Sequence, residues 1–185
     1  SKGMPCVASF SEGYVVGLDR EDSLYSAYLD SITGPGRIIV ASAGNENQMW
    51  TYMHKSAADT EAVSFIYPWY KNAVYYLQGD GAFAVSLQAY TVPADTVIIE
   101  CRNETADTLR CVLQLPVSGR ELKICLSRYM PSMAPLHTVY KMEIECDTAI
   151  YAAGPVLLRL MGDGTDVTAR GSSTSGFYND LLRTS

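Results

Sequence analysis

The residues of this chain best equipped for chemistry end an apolar run: Arg37-Ile38-Ile39-Val40-Ala41-Ser42-Ala43-Gly44-Asn45-Glu46-Asn47. The apolar, partly β-branched residues read as a buried strand, and Ser-Ala-Gly-Asn reads as the tight polar turn that ends it. In sheets flanked by helices, ligand chemistry gathers at that end of a strand. Gly44 lets the main chain approach a bound group closely, and the Asn45 carboxamide can donate to a developing negative charge. Those are the parts of an oxyanion hole. The same residues also suit a plain strand followed by a loop, so the elements around them decide the reading.

An earlier apolar run, Met4-Pro5-Cys6-Val7-Ala8-Ser9-Phe10, ends at Ser11-Glu12-Gly13. Between the two runs, Asp19 to Ile32 carries apolar residues at 24, 25, 28, 29 and 32, the stripe of an amphipathic helix, with acidic residues concentrated in its first turn, where the helix dipole favours them. Thr33-Gly34-Pro35-Gly36 stops that helix. Strand, helix and strand then make one βαβ unit with a right-handed crossover, in which the helix connects two parallel strands.

Residues 2–47 resemble the subtilisin-like serine proteases. There the oxyanion strand typically reads V-x-A-A-G-N-E, and an earlier strand of the form P-V-V-N-x-S-x-G pairs with the substrate. The resemblance implies that Asn45 is the oxyanion donor and that Ser42, Ala43 and Gly44 line the primary specificity pocket. It implies that Ser11 and Gly13 belong to an edge that takes a peptide substrate by strand addition. Ser9 and Glu12 depart from the pattern, and the carboxylate of Glu12 argues against the usual apolar subsite. The aspartate (D-T/S-G), histidine (H-G-T) and serine (G-T-S-M-A) motifs of the family are absent. Gly171-Ser172-Ser173-Thr174-Ser175-Gly176 lacks the Met-Ala and the helix that would follow a nucleophile, and His54 lies after the Asn strand, not before it. The expectation is therefore a non-catalytic central segment of a serine endopeptidase, without peptidase activity alone.

From Ala62 the period changes. Ala62–Tyr67, Ala73–Leu77, Phe83–Ala89, Thr96–Cys101, Thr108–Leu115, Glu121–Ser127, Thr138–Ile144 and Val156–Met161 are short runs separated by turn residues such as Gly79-Asp80-Gly81 and Ser118-Gly119. They predict an antiparallel β-sandwich of the jelly-roll kind. Gln48 to Thr60 reads as a linker. The fold expected is α/β plus all-β: a partial subtilisin-like βαβ unit over 1–58, then a jelly roll over 59–185. Clostridial and Bacteroidetes subtilases with a jelly roll inserted after the Asn strand have this order, and Ala153 to Gly162 resembles the closing hairpin of such sandwiches.

Composition bounds the alternatives. With 48% hydrophobic residues the chain can bury a core, and thirteen tyrosines against four phenylalanines favour amphipathic strands. A net charge of −6 with no Lys/Arg cluster excludes a nucleic-acid partner. No run of about 18 apolar residues spans a membrane. The five cysteines and two histidines carry no zinc spacing, so no metal or cofactor is expected. Acidic turns at Asp80, Asp163 and Asp166 suit solvent better than calcium. The chain opens almost directly into a strand, which reads as a segment of a longer, secreted or cell-envelope protein whose partner is a peptide or protein substrate. Its bare edges predict packing on the sandwich or on a second copy. Two other functions fit the pattern: a glycan- or protein-binding sandwich of a pseudoprotease, with Trp50, Trp69 and tyrosines 67, 70, 75, 76 and 90 as an aromatic platform, and a protease inhibitor.

Overall fold

Alternation of apolar and polar residues, broken by glycine- and proline-containing turns, produces eleven short strands among the described residues after residue 51. The computed structural model describes residues 5–10, 23–41, 52–66, 68, 70–90, 96–101, 108–129, 139–171, 175 and 177–178. The elements are β1 (Cys6–Phe10), α1 (Ser23–Ile32), β2 (Arg37–Ala41), β3 (Tyr52–Lys55), β4 (Glu61–Ile66), β5 (Asn72–Gly79), β6 (Phe83–Ala89) and β7 (Thr96–Cys101). They continue as β8 (Leu109–Leu115), β9 (Arg120–Tyr129), β10 (Val139–Glu145), α2 (Ile150–Ala153), β11 (Val156–Met161), β12 (Val167–Gly171) and β13 (Phe177–Tyr178).

Two antiparallel sheets carry the fold: β3-β12-β5-β10-β9-β8 and β13-β4-β11-β6-β7. From β3 to β6 and again from β10 to β13, successive strands alternate between the two sheets, so covalent connections cross the layers repeatedly. Register sets the core. Tyr75, Met142 and Leu126 share one row of the six-stranded sheet, and Leu158 lies between Ser64 and Leu87 in the other; all are buried. Rings join the layers, Phe83 against Tyr140 at 5.8 Å and Tyr75 against Phe177 at 5.3 Å between centroids. Each fully buried leucine, isoleucine or methionine contributes about 1.5–3 kcal/mol of apolar transfer.

Turn chemistry fixes the ends. The β8–β9 hairpin closes through Gly119, at φ 67, whose N–H donates to Leu115 O at 2.8 Å; a side chain there would strain the left-handed conformation. The short helix α2 docks on the β4–β5 connection, with Ile150 N donating to Tyr70 O and Tyr151 N to Pro68 O. Those bonds satisfy donors that a helix N-terminus cannot pair internally.

This architecture corrects the expected fold class. Among the described residues helix is confined to the ten of α1 and the four of α2, and strands dominate; α1 begins at Ser23, so no acidic residue lies in its first turn. β1 and β2 pair in parallel, but among the described residues no further strand joins them. A two-stranded ribbon is no subtilisin-like α/β unit, because such a unit needs a wider parallel sheet covered on both faces. The presumed linker is also different: β3 lies within it and pairs with β12 as an edge strand. Its inward Lys55 hid the alternation, since lysine is rarely a core residue.

Candidate functional site

Ser11, Gly13, Ser42, Ala43, Gly44 and Asn45 all lie outside the described residues, as do Trp50, Trp69 and Tyr67. The backbone before them is described. β1 and β2 run parallel in register, from Cys6↔Arg37 to Phe10↔Ala41. The chain therefore leaves both strands at the same end of the ribbon, towards Ser11 in one case and Ser42 in the other. Val7, Ile38 and Val40 are exposed on that ribbon, at 65%, 57% and 50%.

Of the aromatic platform expected, only tyrosines 70, 75, 76 and 90 are described, and these do not share one face. Tyr75 and Tyr76 are consecutive on β5, so their side chains point to opposite faces; Tyr75 is fully buried and only Tyr76 faces outward. Tyr90 packs edge-on against Phe65, with centroids 4.9 Å apart. A different group gathers on the outer face of the six-stranded sheet. Register aligns Tyr52, Arg170, Tyr76, Lys141 and Ser127 in one row across β3, β12, β5, β10 and β9. The next row holds His54, Thr168, Gln78, Val139 and Tyr129. The Tyr76 and Tyr129 rings are 5.1 Å apart and tilted, and Tyr52 stacks on His54 at 6.4 Å. Gln78 is buried in its row, and its Oε1 has no hydrogen-bond partner.

Two cationic side chains of this face have acidic neighbours within the chain. Lys141 Nζ lies 2.6 Å from Glu143, whose hydrogen bond raises the lysine pKa above its ordinary value. His54 Nε2 lies 3.4 Å from Asp166 Oδ1, which also accepts from Ala57 N at 2.7 Å. On the inner side Lys55 is fully buried and donates to Ser56 O and Thr165 O at 3.1 and 2.9 Å.

Among the described residues no nucleophile with a base is assembled. Burial pushes the Cys101 thiol up to about 12, and burial followed by the neighbouring Cys125 raises that of Cys111. Both are poor thiolates. Among the described residues no group of three His, Cys, Asp or Glu side chains converges, the Asp80, Asp163 and Asp166 turns included. An apolar cavity of about 120 Å³ between Tyr90, Leu115, Val117 and Pro155 offers no carboxylate, imidazole or thiol.

No family model matches this chain, and no curated protein matches it. Among solved structures it is similar to the Clostridium perfringens CspB protease, with a TM-score of 0.67 and 14% sequence identity over 94% of this chain and 37% of that one. At that identity the likeness shows the fold alone, and this chain spans little more than a third of the length of the protein it resembles. The expected membership of the subtilisin-like family is thereby corrected. Its motifs occupy two short strand ends, whereas most of the chain is antiparallel sheet whose pattern carries no family-specific chemistry. What the comparison shows is a shared fold over nearly the whole of this chain.

Proposed function

We propose that this chain is a non-catalytic segment of a longer, protease-related polypeptide, in which the sandwich stabilises or gates the part that performs catalysis. The observation that carries this reading is the fold likeness to a protease over nearly the whole chain, covering only part of that protease. The ribbon supports it: Val7, Ile38 and Val40 are exposed apolar side chains, as expected where further strands or helices dock. Within this reading the residues following β1 and β2 meet peptide substrate at the shared end of the ribbon. Ser11 and Gly13 offer main-chain groups, and Asn45 offers its carboxamide to the oxyanion.

A peptide-ester assay tests it. The isolated chain is expected to show no turnover above buffer, while the longer polypeptide from the same gene is active and loses about 10²–10³ in turnover in Asn45→Ala. Turnover by the isolated chain that disappears in Asn45→Ala would overturn the non-catalytic assignment.

A further inference from the structure

We infer that β8, an edge strand of the six-stranded sheet, pairs with the β8 of a second copy of this chain, antiparallel about a twofold axis at Val112. The inference does not rest on the protease-related reading. β8 pairs with β9 on one side and, among the described residues, with no strand on the other. An open edge carries a row of unpaired main-chain donors and acceptors, which proteins ordinarily blunt by shortness, proline, charge or a bulge. The other edges of the sandwich are blunted in these ways. β3 has four residues, one of them the buried Lys55, β13 has two, and β7 carries the Glu100 carboxylate. β8 runs seven residues without proline, lysine or acid, in unbroken register with β9, and its single charge is Arg110.

Side-chain parity narrows the pairing. Cys111, Leu113 and Leu115 face the core, whereas Arg110, Val112 and Gln114 lie on the other face and are exposed. A pairing that keeps each face continuous sets like parity opposite like, because a slip of one residue turns every side chain over. About an axis at Val112, Leu109 meets the second copy's Leu115, Cys111 meets its Leu113, and Arg110 meets its Gln114. The exposed Leu109 and the part-buried Cys111 thereby gain apolar neighbours, and Val112, itself 48% exposed, meets its own copy.

Charge complementarity selects this axis over its neighbours. Among the described residues no hydrogen bond or ion pair holds Arg110. Gln114 Nε2 donates to Glu121 Oε1 at 2.6 Å, which leaves the amide Oε1 to accept from a guanidinium. The second copy therefore presents an acceptor backed by a carboxylate where Arg110 presents donors, and the twofold axis makes the contact twice. An axis at Cys111 or Leu113 would set Arg110 against Val112 or Pro116 instead, whose side chains offer no acceptor.

The test is sedimentation velocity of the chain in a Cys6→Ser background, from about 5 to about 500 µM, a range suited to a small interface. A monomer–dimer equilibrium is expected. Val112→Lys brings two ammonium groups together at the axis and weakens the dimer about tenfold or more at an unchanged thermal midpoint. Arg110→Glu weakens it severalfold, and Glu121→Arg added to Arg110→Glu restores it. Directly opposed residues of an antiparallel pair have Cα atoms about 4.5–5.5 Å apart, a span that a disulfide bridges. Mild oxidation of Val112→Cys is therefore expected to yield a dimer linked through position 112. Val117→Cys, 81% exposed but beyond the end of β8, is expected to stay unlinked. Should Val112→Lys misfold, the charge swap and the cross-link decide in its place. A chain that stays monomeric to the highest concentration overturns the inference, as does a dimer indifferent to Val112→Lys and Arg110→Glu. A dimer lost in Ile38→Lys but kept in Val112→Lys overturns it too, by moving the contact to the β1–β2 ribbon.

Discussion

Two strands of nearly the same sequence character end in opposite surroundings. Ile38-Ile39-Val40 of β2 is as apolar as Val156-Leu157-Leu158 of β11, yet Ile38 and Val40 are half-exposed or more while Val156 and Leu158 are fully buried. β11 lies between β4 and β6 and turns one face to the opposing sheet. Among the described residues β2 has β1 as its one strand neighbour, and no sheet packs on the face that carries Ile38 and Val40. Burial is thus conferred by the layers a strand joins, not by its own composition. The ribbon carries core-like residues whose transfer energy is still unrealised.

The largest expected contrast between the two regions is chemical. Cys6 on the ribbon is exposed, whereas Cys101 in the sandwich is buried and its thiol is pushed up to about 12. With a thiol reagent at neutral pH, Cys6 is expected to react at once and Cys101 only after unfolding, slower by roughly three orders of magnitude or more. Mass spectrometry of labelled peptides checks this, and equal rates would erase the distinction between core and ribbon. The sign extends to stability. A thiol whose folded pKa is raised contributes fully below its unfolded value near 9.0, and the contribution is lost as pH climbs towards 12.

Next in size is truncation of equivalent apolar side chains. Leu158→Ala empties space at the centre of the core and is expected to cost about 2–5 kcal/mol in urea unfolding. Ile38→Ala in the same isolated chain removes a side chain already in water and is expected to cost less than about 0.5 kcal/mol. Comparable losses would mean that the ribbon is covered in solution, by a second copy or by the sandwich itself.

Lys55 sharpens the comparison from within the sandwich, because it is a charged side chain in a place the pattern reserves for apolar ones. Lys55→Met keeps the stem but leaves the carbonyls of Ser56 and Thr165 without a donor. The expected loss is about 1–3 kcal/mol. A gain in stability would show instead that removing the ammonium from water costs more than its hydrogen bonds return.

How much of this was legible in the sequence follows the same division. Phe83–Ala89, Thr96–Cys101 and Val156–Met161 were readable to the residue because alternation and flanking turns agree. β3 and β12 were not: Tyr-Met-His-Lys and Val-Thr-Ala-Arg-Gly mix polar residues into both faces. The outer-face group was legible in part only. Tyr76 stood out, but Tyr52, Gln78 and Tyr129 meet it through the register of strands far apart in the chain, which local pattern does not encode. The two parallel strand segments were legible from their apolar runs, whereas the fold class drawn from them was not, since two strands do not specify the sheet around them.

The smallest effect expected belongs to Asp147, and it is the control for the others. The Arg120 guanidinium beside it, aided by the Cys146 thiol, holds the Asp147 carboxyl below the usual carboxylate range. A depressed folded pKa contributes stability above the unfolded value, and that contribution is lost as pH falls through the folded one, so its window is acidic. Both side chains are well exposed, where water and salt screen the pair. Arg120→Gln is therefore expected to return the Asp147 titration, followed by NMR, to the ordinary range while the urea midpoint at neutral pH stays where it was. If the midpoint moved as far as it does in Leu158→Ala, rim ion pairs would be holding the sandwich together. The contrast with the ribbon would then have to be rebuilt on charge, whereas an unmoved midpoint leaves the opposing layer as what the sandwich has and the ribbon lacks.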